Sequence, residues 1–179
     1  FTPPLAGYYR VGIPLEMDGR IVSVTMDRVV RKLKADFFLT TSGAFFASEE
    51  LSALLKSVQP DLHFFPSETR YASGKPTEKR YLLVHADRQL PAFDYQRSQY
   101  GGRELVLRRL ERGEDLDDFL VKSVRIIAID AECATGQHFF FLKNVLLVDP
   151  IVSGDLAHTI RNRSLNVRLM PLDHDQSCG

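Results

Sequence analysis

Two windows of this chain match one another without a gap, and that pairing limits the folds open to it. Residues 44–66 read AFFASEELSALLKSVQPDLHFFP, and residues 149–171 read DPIVSGDLAHTIRNRSLNVRLMP. Ser48 falls on Ser153, Leu51 on Leu156, Leu55 on Ile160, Phe64 on Leu169, Phe65 on Met170 and Pro66 on Pro171. Each copy reads as a short apolar strand, a serine-capped helix, a second apolar strand and a proline stop. Two copies are too few for a solenoid, in which stacked repeats bury a continuous core. The expectation is a single α+β domain over residues 1–179, with a mixed, largely antiparallel sheet and two equivalent strand–helix–strand units.

The helices of both copies carry their own local signals. Ser48 and Ser153 can each accept a hydrogen bond from a free N–H of the first turn. Glu49, Glu50 and Asp155 suit the positive end of the helix dipole, and Lys56 and Arg161 the negative end. Leu51, Leu54, Leu55 and Val58 form one apolar stripe, which Leu156 and Ile160 keep in the second copy. Around them, residues 1–35 read as irregular and Pro/Gly-rich at the start, with a strand at 21–25 and a short helix at 27–34. Strands are expected at 37–40, 44–47, 62–66, 81–86, 104–110, 124–129 and 138–142. Polar turns fall at 41–43 and 73–78. Residues 111–118 read as a loop running into a short helix, and 173–179 as a flexible tail.

The formal net charge is zero, which argues against a mainly electrostatic nucleic-acid binder. The longest apolar runs, 139–142 and 145–148, fall far short of the roughly 20 residues of a membrane span. The two cysteines, Cys133 and Cys178, lack metal spacing, and unpaired thiols suit the cytoplasm.

Catalytic constellations are weak. Cys133 sits beside Asp130 and Glu132, which oppose thiolate formation. No Ser lies in a GxSxG elbow and no Gly-rich phosphate loop occurs. His85-Ala86-Asp87 and Asp173-His174-Asp175 place potential ligands close together without a metal signature. The expectation is no enzyme, no catalytic residue, no metal and no cofactor. The rival reading is a hydrolase using Asp130 and Glu132 as an acid/base pair; a third is a non-catalytic adaptor. The most distinctive surface signal is the acidic run Glu111, Glu114, Asp115, Asp117 and Asp118, either a solvated loop or a docking patch for a basic partner.

Three ordered stretches carry a resemblance: Phe45 to Pro66; Tyr81-Leu82-Leu83-Val84-His85 with Phe93-Asp94-Tyr95-Gln96-Arg97-Ser98-Gln99-Tyr100; and Phe139 to Pro171. Tyr81 and Leu83 fit a Y-x-L-x-V segment, Asp94, Ser98 and Tyr100 a D-x-x-x-S-x-Y segment, and Ser153 and Leu156 a late V-S-x-x-L block. In this order the chain resembles the bacterial polymorphic-toxin immunity proteins, of the immunity protein forty-three or eleven type. The resemblance implies a small cytosolic or periplasmic protein that binds and neutralises one cognate toxin. It transfers no catalytic site and leaves oligomeric state open. Under it, Glu111, Glu114, Asp115, Asp117 and Asp118 are candidate partner-binding residues, together with Tyr95, Arg97 and Tyr100.

Overall fold

The computed structural model describes residues 11–17, 19–116 and 119–172. The elements in chain order are β1 (Val22–Thr25), β2 (Phe37–Leu39), β3 (Phe45–Ser48), α1 (Glu49–Val58), β4 (Leu62–Arg70), β5 (Tyr81–Ala86), α2 (Arg103–Glu111), β6 (Phe139–Phe140), β7 (Ile151–Val152) and α3 (Gly154–Asn162). They fall into two compact units. One comprises Phe1–Arg88 and Ser153–Arg168, the other Gln89–Val152 and Leu169–Gly179.

In the first unit five strands form a mixed sheet in the order β1-β4-β5-β3-β2. Only β1 runs parallel to its neighbour β4; the other three pairings are antiparallel. The fold class is therefore α+β with a mixed, largely antiparallel sheet, as expected. β5 (YLLVHA) lies centrally and buries five of its six residues, as a strand covered on both faces must. One face of the sheet joins Val22, Val24, Phe46, Tyr81 and Leu83 to Met17 and Met26 in a single core. On α1, Leu51, Ser52, Leu54 and Leu55 are buried, and the helix packs on β3, β4 and β5. Each fully buried Leu or Phe contributes roughly 1.5–3 kcal/mol.

Both expected helix caps form. The Leu51 N–H donates to Ser48 Oγ at 3.3 Å and the Leu156 N–H donates to Ser153 Oγ at 3.2 Å. Beyond the helices the two windows diverge. Pro66 does not stop β4, which continues to Arg70. Pro66 is the last residue paired with β5, opposite Leu82, and Ser67 is the first paired with β1, opposite Val22. Proline lacks the N–H that a further ladder bond would use, so it sits where β4 exchanges one partner for another. Among the described residues after α3 no strand forms. Asn166 instead exchanges two backbone contacts with Asp36: its carbonyl accepts the Asp36 N–H at 2.8 Å, and its N–H donates to Asp36 Oδ2 at 2.7 Å. The Val167 N–H closes a tight turn on the Leu165 carbonyl at 2.9 Å. The expected second strand–helix–strand unit thus lacks its closing strand.

The helix expected at 27–34 is a turn. Asp27 accepts the Val29 N–H through Oδ1 at 3.0 Å and the Val30 N–H through its carbonyl at 2.9 Å, a local alternative that short acidic side chains offer the backbone.

The second unit has its own core, built on Phe93, Tyr100, Val106, Val121, Ile127, Phe140 and Val145. Its regular pairing is brief. β6 and β7 pair through Phe139↔Val152 and Phe140↔Ile151. The strands expected at 124–129 and 138–142 are mostly single bridges, Gln99↔Ile126, Phe93↔Ile129 and Leu90↔Leu142. Side chains replace the ladder: Ser98 Oγ accepts the Ala128 N–H at 2.9 Å and donates to the Ala128 carbonyl at 3.3 Å. The strand expected at 104–110 is the helix α2. Its alternation was misleading because Val106 alone is buried while Leu105 is 59% exposed. Leu, Arg and Glu are good helix formers, and Gly113, at φ 71°, ends the helical run.

Candidate functional site

All the described candidate partner-binding residues lie in the second unit, and the fold brings both sequence segments that carry them to one pocket. The segment from Phe93 to Tyr100 turns on Asp94. Its Oδ1 accepts the N–H groups of Gln96 and Arg97 at 2.9 and 2.8 Å, and its Oδ2 receives Arg97 Nε at 2.5 Å. The Arg97 backbone bond is the largest cause, ahead of its guanidinium, of a carboxyl held below its usual range despite some desolvation. Arg97 also donates from Nη2 to the Ile129 carbonyl at 2.9 Å, so its exposed side chain braces the turn.

Ser98 and Tyr100 are both buried. The Tyr100 hydroxyl donates to the Tyr95 carbonyl at 3.1 Å, and burial pushes its ionisation upward. Asp94, Ser98 and Tyr100, the motif residues of this segment, are therefore scaffold. What they display is Tyr95, half-buried, with Gln96 and Arg97 exposed. Tyr95 meets Phe93 edge-to-face at 5.1 Å and Tyr100 at 6.2 Å.

The acidic run follows α2. Glu111, Glu114 and Asp115 are exposed, as unburied carboxylates must be without buried cations. Asp117 and Asp118 lie outside the described residues. The run is partly neutralised by its own neighbours. Arg109 Nε donates to Glu114 Oε2 at 2.9 Å, Arg112 Nη1 lies 3.7 Å from Glu114 Oε1, and Arg109 Nη2 donates to the Asp115 carbonyl at 3.0 Å. Between residues 103 and 118 the sequence has four arginines, Arg103, Arg108, Arg109 and Arg112, against six carboxylates, Glu104, Glu111, Glu114, Asp115, Asp117 and Asp118.

Between these two segments lies a pocket of about 260 Å³. Pro91, Phe93, Tyr95, Leu110 and Leu116 give it an apolar lining; Glu114, Asp115, Lys143 and Asn144 make it polar at the same mouth. Sequence reasoning named Tyr95, Glu114 and Asp115 but missed the other six. The one available signal was Lys143-Asn144, a polar break between two apolar runs, and Asn144 indeed adopts φ 59°.

At the alternative sites the side chains make local contacts. Asp130 Oδ1 accepts the Glu132 and Cys133 N–H groups at 2.9 and 3.3 Å, so it caps a turn. Desolvation at the turn, then Asp130 and Glu132, push the exposed Cys133 thiol upward. His85 Nε2 bonds the Ile13 carbonyl at 2.6 Å, and Asp87 pairs with His63 at 2.8 Å. Among the described residues, no group of three or more His, Cys, Asp or Glu is placed to hold a metal ion. No helix among them is long and apolar enough to cross a membrane. Cys178 and Asp173-His174-Asp175 lie outside the described residues.

No curated protein matches the chain. A family model described as Immunity protein family (Imm11) matches residues 8–168, the eleven type of the two that the motifs resemble. The chain belongs to the Imm11 immunity protein family, and a toxin-neutralising role in general follows from that membership.

Proposed function

We propose that this member of the immunity protein family binds one cognate toxin in the cytoplasm and blocks it stoichiometrically, without chemistry of its own. The observation that carries the reading is the pocket at which Tyr95 meets Glu114 and Asp115. A concave, partly apolar site rimmed by polar groups is the form in which interface anchors are received. The interface extends from it over the exposed turn tip at Arg97 and the acidic run Glu111, Glu114, Asp115, Asp117 and Asp118. Tyr100 acts beneath it, holding Tyr95 through the carbonyl contact. A stable complex of this kind buries on the order of 1,600 Å² in total.

The hydrolase alternative rests on Asp130 and Glu132. The two backbone N–H groups on Asp130 Oδ1 favour a turn-capping role for that carboxylate. The adaptor alternative differs from immunity only in its partner.

Genetics and binding together test the reading. The gene beside this one should encode a toxin domain, and co-expression of the two proteins should restore growth that the toxin alone abolishes. The purified pair should form a 1:1 complex. Growth that stays abolished despite full expression of both proteins would refute immunity.

A further inference from the structure

We propose, on the basis of the immunity reading, that the pocket in the second unit receives one tyrosine or tryptophan side chain presented by the toxin. Its volume of about 260 Å³ lies below the roughly 300–1,000 Å³ of sites built for small-molecule ligands. It suits one large side chain. Phe93 and Leu116 are buried beneath it, and Phe93 and Tyr95 already stand edge-to-face, with centroids 5.1 Å apart and planes at 82°. A third ring extends that arrangement at the geometry aromatic pairs prefer.

The polar lining selects among guests. An arginine or lysine would meet the Lys143 ammonium and, at Glu114, a carboxylate that Arg109 holds at 2.9 Å. An acidic guest would face both carboxylates. A purely aliphatic guest would desolvate the four polar residues and give them no hydrogen bond in return. A phenol O–H or indole N–H is neutral, fills the apolar lining with its ring, and donates its one proton at the carboxylate rim. The same amphipathic character explains why Tyr and Trp dominate interface anchors. The surroundings suit docking. Asn144 accepts the Val121 N–H through its carbonyl at 2.8 Å, and the Leu146 N–H returns to the Val121 carbonyl at 2.8 Å. Beside this pairing the side chains of Leu120 and Leu146 are exposed, at 45% and 62%.

The test uses the full chain and side-chain analogues. Methyl-labelled protein is titrated by NMR with 4-methylphenol, 3-methylindole and propylguanidinium. The two aromatic probes should shift the Leu110 and Leu116 methyl signals at millimolar concentration, and propylguanidinium should not. Leu110→Trp, which plugs the mouth from the helix side, should remove the shift at Leu116, the methyl reporter that the variant retains. It should also weaken binding of the toxin domain encoded by the adjacent gene at least about tenfold, with the far-UV spectrum unchanged. Propylguanidinium shifting the pocket while the aromatic probes do not would overturn the aromatic guest and leave immunity standing. So would a folded Leu110→Trp protein that binds the toxin as tightly as wild type. Failure of the wild-type protein to bind that toxin would overturn both readings together. If Leu110→Trp does not fold, the probe titration of the wild-type protein decides the guest by itself.

Discussion

Asp36 should be the most consequential single carboxylate in the first unit. Its side chain is almost wholly buried and collects three separate parts of the chain. Lys79 Nζ donates to Oδ1 at 2.7 Å, the Asn166 N–H donates to Oδ2 at 2.7 Å, and the Ser48 hydroxyl bonds the same carboxylate. Its main chain adds the Asn166 contact and accepts the Ser48 N–H at 2.8 Å. The substitution Asp36→Asn keeps the shape and removes the charge. Breaking a buried ion pair by deleting one partner costs about 3–5 kcal/mol. The Lys79 side chain is 39% exposed and can rehydrate, which reduces the expected loss to about 2 kcal/mol. For a chain of this size that is a fall in Tm of about 4–8 °C. Asp36→Ala also strips acceptors from the Asn166 N–H and the Ser48 hydroxyl, so its loss should be larger by about 1 kcal/mol for each.

Acid supplies the second half of this prediction. Burial alone would raise the Asp36 carboxyl, but the bonds from Lys79, Ser48 and Asn166 outweigh it and hold it below its ordinary value of 3.8. A carboxyl lowered in the folded state contributes stability that is complete above the unfolded value and is lost as pH falls through the folded one. The gap between wild type and Asp36→Asn should therefore be full at pH 7 and shrink below about pH 4. Calorimetry at both pH values measures it. A gap that stays constant into acid, or an Asp36→Asn midpoint within 1 °C or so of wild type at pH 7, would show that the carboxylate does not join these segments.

Three further outcomes are expected. Ser153→Ala should cost about 1 kcal/mol in urea unfolding, and Ser48→Ala more, because its hydroxyl also serves Asp36. Gly113→Ala should destabilise by about 1 kcal/mol although nothing lies within 4 Å of the added methyl, because the strain is in the positive φ itself; Gly113→Asn should recover part of the loss. The pair Asp115→Lys with Asp118→Lys should slow association with the toxin several-fold at low salt, and the difference should close near 1 M salt, where charges are screened over about 3 Å; equal rates at low salt would reduce the acidic run to a solvated loop.

Legibility in the sequence followed the reach of the physics involved. The helices after Ser48 and Ser153 were readable because cap, dipole charges and apolar stripe all lie within ten residues of one another and agree. So was β5, which opens on the apolar run Tyr81-Leu82-Leu83-Val84. The closing strand after α3 was not, because whether residues 165–171 extend as a strand depends on Asp36, 130 positions from Asn166. The run Leu105-Val106-Leu107 has the look of a short apolar strand, yet a mostly exposed helix that buries Val106 alone has no apolar stripe to impose its period.

The candidate site shows the same division more sharply. The family-like residues Asp94, Ser98 and Tyr100 were visible as a spacing, but a spacing does not say which way each side chain faces. The structure turns all three to support and leaves Tyr95 at the pocket. The acidic run is visible as charge, while the pairing of Arg109 with Glu114 depends on residues 103–111 being helix rather than strand. The pocket itself joins residues 91–95, 110–116 and 143–144, three segments with no common period or motif. Correcting α2 from strand to helix moves Leu110 and Arg109 beside Glu114. That placement sets Glu114 and Asp115, the part of the acidic run that lines the pocket, beside an apolar hollow with Arg109 next to them. The electrostatic reading favours a basic partner and the hollow favours an aromatic anchor, and the two make separable predictions: charge reversal acts on the association rate and its salt dependence, whereas plugging the hollow acts on dissociation.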